Sequence, residues 1–155
     1  MAWQPIKKDA SNWETTPNLI DFERESAEFS WEQVRQELFQ CWDSPNMGGL
    51  AVDRLAAGPY RDAVALRWLG RDGSRLDTTY AALKQKTNRF ANVLRRLGVG
   101  KGDRVFSLAG RTPALYIAAL GALKNTSVFC PLFSAFGPGP VRQRLERGNA
   151  RVLVT

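Results

Sequence analysis

The sequence contains no histidine. That removes the usual general base, the commonest metal ligand and the side chain that titrates near neutral pH. Only two cysteines are present, Cys41 and Cys130, far apart and without a CxxC pairing. They read as reduced, buried thiols of a cytosolic protein. Long apolar runs are missing too: none approaches the ~20 consecutive residues a membrane helix requires. The opening stretch Met1–Lys8 lacks the apolar segment of a secretory signal. The expected location is therefore cytoplasmic, with no membrane partner. Acidic residues are scarce toward one end. Residues 104–155 hold one acid against seven bases, and residues 51–103 hold five against eleven. The first fifty residues reverse this, with nine acids against four bases, and the net charge is +7. A basic C-terminal two-thirds attracts nucleic acid, an anionic membrane surface or a phosphorylated small ligand, and charge alone does not choose among them.

What is present fits a folded body. A length of 155 residues suits one domain or a large fragment, and 44% apolar residues supply a core. The first 29 residues show no sustained period and read as an extended acidic leader. Ser30 and Gln33 then have the spacing of a capping box, with Phe29 and Val34 as a hydrophobic staple. Trp31, Val34, Leu38, Cys41 and Trp42 share one face of the helix that follows, and Pro45–Gly49 stops it. A short apolar turn over Leu50–Ala57 leads to Gly58-Pro59. Val64, Leu66 and Trp68 alternate as a half-buried strand, and Gly70–Gly73 turns it into a partner near Arg75–Thr78. Tyr80, Leu83, Thr87, Phe90, Leu94 and Leu97 form one helical seam, closed by Gly98 as a left-handed cap with Val99 as its apolar contact.

From Arg104 strands and helices alternate. Arg104–Ala109 and Val128–Phe133 read as buried strands and Arg151–Thr155 as the start of a third. One helix opens at Thr112-Pro113 and runs to about Lys124; another follows the loop Ser134–Gly139 and ends near Arg147, closed by Gly148. This spacing predicts a parallel, right-handed βαβαβ unit. A three-stranded parallel sheet whose last strand stops at the final residue is an unfinished layer, so the chain reads as a fragment.

Few residues offer chemistry. Gly98–Asp103 is glycine-rich and carries Lys101, but it joins a helix to a strand, the wrong order for a phosphate cradle. Cys130 lies in an apolar strand with no base to ionise it, and reads as a core thiol. Arg142, Arg144, Arg147 and Arg151 form the densest basic cluster; Val141 and Leu145 take the buried face of that helix and leave the arginines to solvent, with binding of a phosphate-bearing ligand as the sharper alternative. No helix-turn-helix, zinc or RNP signature accompanies the charge, so no specific nucleic-acid partner is expected. The loop Phe133–Gly139 is the segment placed like a site, because it leaves the carboxyl end of a parallel strand and feeds a helix. The plainer reading, and the favoured one on residues alone, is a tight connection shaped by glycine and proline.

Asp62–Gly70, Thr79–Leu83, Thr87–Leu94, Leu97–Val105 and Val128–Gly137, taken in order, resemble the N-terminal region of AMP-forming acetyl-CoA synthetases, members of the adenylate-forming acyl-CoA ligase superfamily. The resemblance implies an α/β fold, the incomplete N-terminal portion of the adenylate-forming enzyme, with a helix-and-hairpin leader before the parallel unit. It divides the chain into a leader, residues 1–57, and the start of the ligase domain, residues 58–155. It implies an ATP- and magnesium-dependent conversion of acetate and coenzyme A to acetyl-CoA, AMP and pyrophosphate. The family's phosphate loop, adenylate motifs and catalytic lysine would lie beyond Thr155, so no catalytic or metal-binding residue is carried over and the chain is expected to be inactive alone, its partner being the remainder of the ligase. Ser134, Ala135 and Phe136 match the stretch that lines the pantetheine tunnel and alone inherit a coenzyme A-binding role. Three departures stand out: several residues are missing before Ala51–Arg54, Leu55 stands where histidine is common, and Ala82 replaces the glutamate that completes a capping box with Thr79. A non-catalytic coenzyme A- or nucleotide-binding module, a subunit of a split ligase, and a basic nucleic-acid-binding protein remain the competing readings.

Overall fold

A computed structural model describes residues 13–39 and 45–155. The chain divides into two compact units between Cys41 and Trp42. The expectations for Cys41, Trp42 and the residues before Trp13 lie outside the described residues.

The first unit holds α1 (Phe22–Glu28) and α2 (Trp31–Phe39), neither with a buried residue. The sequence reading missed α1, because two turns are too short for an apolar stripe to repeat. Its signal is polar. Asp21 Oδ1 accepts the Arg24 amide at 3.0 Å, and Glu23 and Glu25 place negative charge at the positive helix end. α2 starts where Ser30 predicts, although the Gln33 amide reaches Ser30 Oγ only at 3.4 Å. The Phe29 ring meets Trp31 edge to face, 4.9 Å between centroids.

In the second unit the expected apolar turn is a π-helical turn, Gly49–Asp53, running into α3 (Arg54–Ala57). β1 (Val64–Leu69) and β2 (Arg75–Thr79) form the antiparallel hairpin. Val64 pairs with Thr79 but Leu66 pairs with Thr78, so a bulge sits at Ala65. The bulge breaks the alternation: Leu66 and Trp68 stay half-buried as expected, whereas Val64 is exposed. Trp68 Nε1 donates to the Arg111 carbonyl at 2.8 Å and ties the hairpin to the loop after the next strand.

α4 (Tyr80–Arg96) buries Leu83, Thr87, Ala91 and Leu94. Thr79 caps it by accepting the Ala82 amide at 3.2 Å. The end is a Schellman motif: Gly98 has φ +72°, its amide donates to Arg95 O, and the Val99 amide donates to Leu94 O. Leu97 corrects the predicted seam. It occupies the C-cap, is 58% exposed, and Val99 enters the core in its place.

β3 (Arg104–Ser107), α5 (Pro113–Lys124), β4 (Val128–Pro131), α6 (Pro138–Arg147) and β5 (Ala150–Val154) form the predicted parallel unit, in strand order β4-β3-β5. β3 and β4 are each shorter than expected, because the chain turns away after the bonds from Leu108 N to Val154 O and from Leu132 N to Ser107 O. Thr112 holds the N-cap position of α5 without a side-chain capping bond. One sheet face packs on α4 and α5 through Leu94, Val99, Val105 and Ala122, with Phe90, Phe129, Val152 and Val154 around them. The two helices approach closely at Gly121, where a Cβ would lie 2.8 Å from the Phe90 ring and 2.9 Å from Thr87 O. α5 ends in a second Schellman motif, but here Thr126 holds the left-handed position at φ +62°. A β-branched residue is strained there.

Candidate functional site: the loop after β4

Register assigns the side chains of β3 to two faces. Val105 points to the α4–α5 side, while Phe106 points to α6, so closely that a Cβ on Gly148 would lie 2.4 Å from the Phe106 ring. The connections leaving the adjacent strands β3 and β4 therefore run to opposite faces. That is a topological switch point, the place where open parallel sheets leave a crevice at the carboxyl ends of their strands. The loop after β4 lies there by topology alone.

The crevice is a cavity of about 720 Å³ bordered by Phe106, Leu132, Phe133 and Phe136 and by Arg144 and Arg147 of α6, with Pro131, Gln143 and Gly148 completing it. Phe133 to Phe136 form a tight turn closed by the Phe136 amide donating to Phe133 O at 3.0 Å. The two phenyl rings meet edge to face, 5.6 Å apart. The Arg144 guanidinium lies over the Phe136 ring, 4.2 Å from its centroid, and Nη1 donates to Pro140 O at 3.1 Å. Of the three site residues named from the sequence, Phe136 borders the cavity; Ser134 and Ala135 are exposed at the corner of the turn and outside its lining. Phe106 and Gln143 were missed as site residues, and Arg144 and Arg147 were read first as a solvated face, with phosphate binding as the sharper alternative. Arg144 and Arg147 are exposed as expected of a solvated helix face, but they also line the crevice. Helical spacing from the loop was the available signal: Arg144 lies about two turns after Gly137, the N-cap of α6. Arg142 is held at 2.7 Å by Glu146 instead.

Other candidates resolve differently. Gly98–Asp103 is a structural turn: the Gly100 amide donates to Asp103 Oδ2 at 2.8 Å, Gly102 takes φ +81°, and Ser127 Oγ donates to Gly100 O. Asn125 is buried beside it and donates to Val99 O and Ser127 Oγ, both at 2.9 Å. Cys130 is half-buried, not a core thiol: its register partner Phe106 places it on the α6 face, and β4 is an edge strand of the sheet, whereas Phe106 lies on the central strand and is buried. A second cavity of about 340 Å³, bordered by Asp53, Asn88, Arg95 and Lys124 among others, is polar. Lys124 Nζ donates to Asp53 Oδ1 at 2.6 Å and Asn88 Oδ1 at 2.8 Å, and burial, outweighing Asp53, pulls the ammonium below the usual lysine range. This pair fixes the segment before α4 onto α5.

The AMP-binding enzyme family matches residues 53–155, more than half of the chain. The chain belongs to that family. The acetyl-coenzyme A synthetase of Bacillus subtilis (strain 168) is 38% identical over 141 residues, which cover 89% of this chain and 24% of the relative. The 3-hydroxypropionyl-coenzyme A synthetase of Metallosphaera sedula is 37% identical over 105 residues, 68% of this chain and 16% of the relative. Among solved structures, the Brucella canis acyl-CoA synthetase superposes with a TM-score of 0.74 at 29% identity, over 85% of this chain and 24% of that one. The chain therefore has the fold of the N-terminal portion of an adenylate-forming enzyme, as the sequence implies, and spans about a quarter of the length of the first relatives it matches.

An aromatic and aliphatic wall beside two guanidinium groups suits an apolar arm carrying phosphate. Among the described residues no three acidic, histidine or cysteine side chains gather, and no glycine-rich strand-to-helix loop carries a lysine. No helix among them is long and apolar enough to cross a membrane.

Proposed function

We propose that this chain supplies the N-terminal part of an ATP-dependent, AMP-forming acetate–CoA ligase, working in the cytoplasm. The loop Ser134–Phe136 contributes one wall of its coenzyme A channel. The observation that carries this reading is the Phe133–Phe136 turn, set over an aromatic and guanidinium-lined crevice at the switch point of the sheet. Leu132, Phe133 and Phe136 would face the pantetheine arm, and Arg144 and Arg147 would meet phosphate. Ser134 and Ala135, small and exposed, leave the turn open to close approach. Residues 1–57 act as a leader to the ligase region 58–155. ATP, magnesium and acetate are handled by the remainder of the ligase, whose residues this chain does not supply. The similarity to synthetases named for two different acids is consistent with acyl selection lying outside this stretch.

The chain by itself should be inactive. Pyrophosphate release that depends on acetate, ATP and coenzyme A should stay at the no-protein blank, and release above that blank would overturn the assignment of catalysis to the remainder. Mixing with a separately expressed remainder from a relative tests the split-ligase arrangement in the same assay. The basic charge favours one rival reading, nucleic-acid binding. Duplex DNA should bind weakly and without sequence preference, with affinity dropping steeply between about 50 and 200 mM salt. Sequence-selective, salt-resistant binding would overturn the ligase reading of the charge and promote nucleic-acid binding.

A further inference from the structure

We propose that Arg144 is a positioning residue that holds the β4–α6 loop in its binding shape, in addition to any contact it makes with ligand. The inference rests on the coenzyme A reading of the same crevice. The loop has little else to hold it. A Cβ at Gly137 or Gly139 would meet nothing within 4 Å, and Ser134 and Ala135 are exposed. Its turn is closed by one amide bond, from Phe136 to Phe133 O at 3.0 Å. Phe133, 65% exposed, packs its ring edge to face on Phe136. The outer contact in this series is the Arg144 guanidinium, 4.2 Å from the Phe136 centroid and anchored to Pro140 O. Arg144 is exposed, so solvation gives it no reason to fold back; the planar face over the ring does. One N–H goes to Pro140, which leaves other donors of the fork to meet an anion while its face stays on Phe136.

The geometry predicts a difference between arginine and lysine that charge alone would not produce. Amide hydrogen exchange, measured on the full chain without ligand, should quicken at Phe136 in Arg144→Met by roughly two- to fivefold. Exchange in α5 and the thermal midpoint should stay at wild-type values. Arg144→Lys keeps the charge and some attraction to the ring but offers neither the planar face nor the fork that also reaches Pro140 O, so its Phe136 amide should exchange faster than wild type and no faster than in Arg144→Met. With Phe136→Leu in the background, Arg144→Met should have no further effect on exchange at position 136. Wild-type exchange at Phe136 in Arg144→Met, or full rescue by lysine, would overturn the proposal. Coenzyme A itself is the second probe. Its dissociation constant should rise in both variants by at least the same factor. No coenzyme A binding by the wild type, with the exchange result intact, would sink the channel reading and leave the positioning of the loop standing.

Discussion

The two faces of the parallel sheet differ in kind. Toward α4 and α5, Val105 and Ala122 are fully buried, and Leu94 is 1% exposed. Small residues, Ala91, Ala118 and Gly121, bring the helices together. Toward α6 no helix residue is fully buried; Val128, Leu153 and Phe133 stay exposed and Phe106 borders a cavity. One strand supplies both environments through neighbouring residues, Val105 and Phe106. The first face carries stability, and the second is the one proposed to meet ligand. A close-packed face resists change in volume, whereas an open one with aromatic rings and guanidinium groups can receive a molecule.

The largest effect expected from this contrast is at Leu94. Leu94→Ala should cost about 2–5 kcal/mol, because the removed methyl groups leave a cavity in a packed interior. Leu145→Ala, half-buried on α6, should cost about 1 kcal/mol or less. Urea unfolding of the two variants makes the comparison, and equal losses would break it. Next in size is Thr126→Gly at the end of α5. Relief of the left-handed strain exceeds the added freedom of the unfolded chain, for a net gain of about 1 kcal/mol. A lower thermal midpoint in that variant would contradict the strain argument. The smallest effect belongs to the hairpin, outside both faces. Hydrogen bonds from Arg67 first and Arg75 next hold the Asp77 carboxyl well below the usual aspartate range. A depressed carboxylate contributes stability above its unfolded pKa and loses it as pH falls through the folded one. Asp77 should therefore remain ionised in a carbon-13 titration at pH values where a free aspartate protonates, and Asp77→Asn should slightly flatten the acid limb of the stability curve. Titration of Asp77 in the range of a free aspartate would show that the arginine contacts do not persist in solution.

Most of the closed face was legible in the sequence, because it is built from local rules. Thr79, Gly98 and the Tyr80–Leu94 seam give α4 both its ends and its buried side, and the strand spacing gives the parallel order. Three features escaped that reading. Helix α1 is too short for periodicity and depends on a polar cap at Asp21. The bulge at Ala65 turns Val64 to solvent, and strand alternation carries no signal for an extra residue. Leu97 follows the helical period but falls on the C-cap, where the chain has already left the helix. The open face was legible in position but not in membership. Topology put the loop after β4 at the crevice, while Phe106, Arg144 and Arg147 joined it through tertiary packing from a strand and a helix that looked structural. Cys130 illustrates the same limit: its apolar neighbours suggested a core, and the sheet placed it on the more open side.

The central claim is that the crevice on the α6 face is part of a coenzyme A channel in a ligase of this family. A coenzyme A titration followed by backbone amide chemical shifts tests it most directly. Shifts confined to Phe133–Gly137 and Gln143–Gly148, with Leu83–Val99 unmoved, are the predicted result. A folded chain with no shifts at millimolar coenzyme A, or with shifts centred on the α4–α5 face, would contradict it.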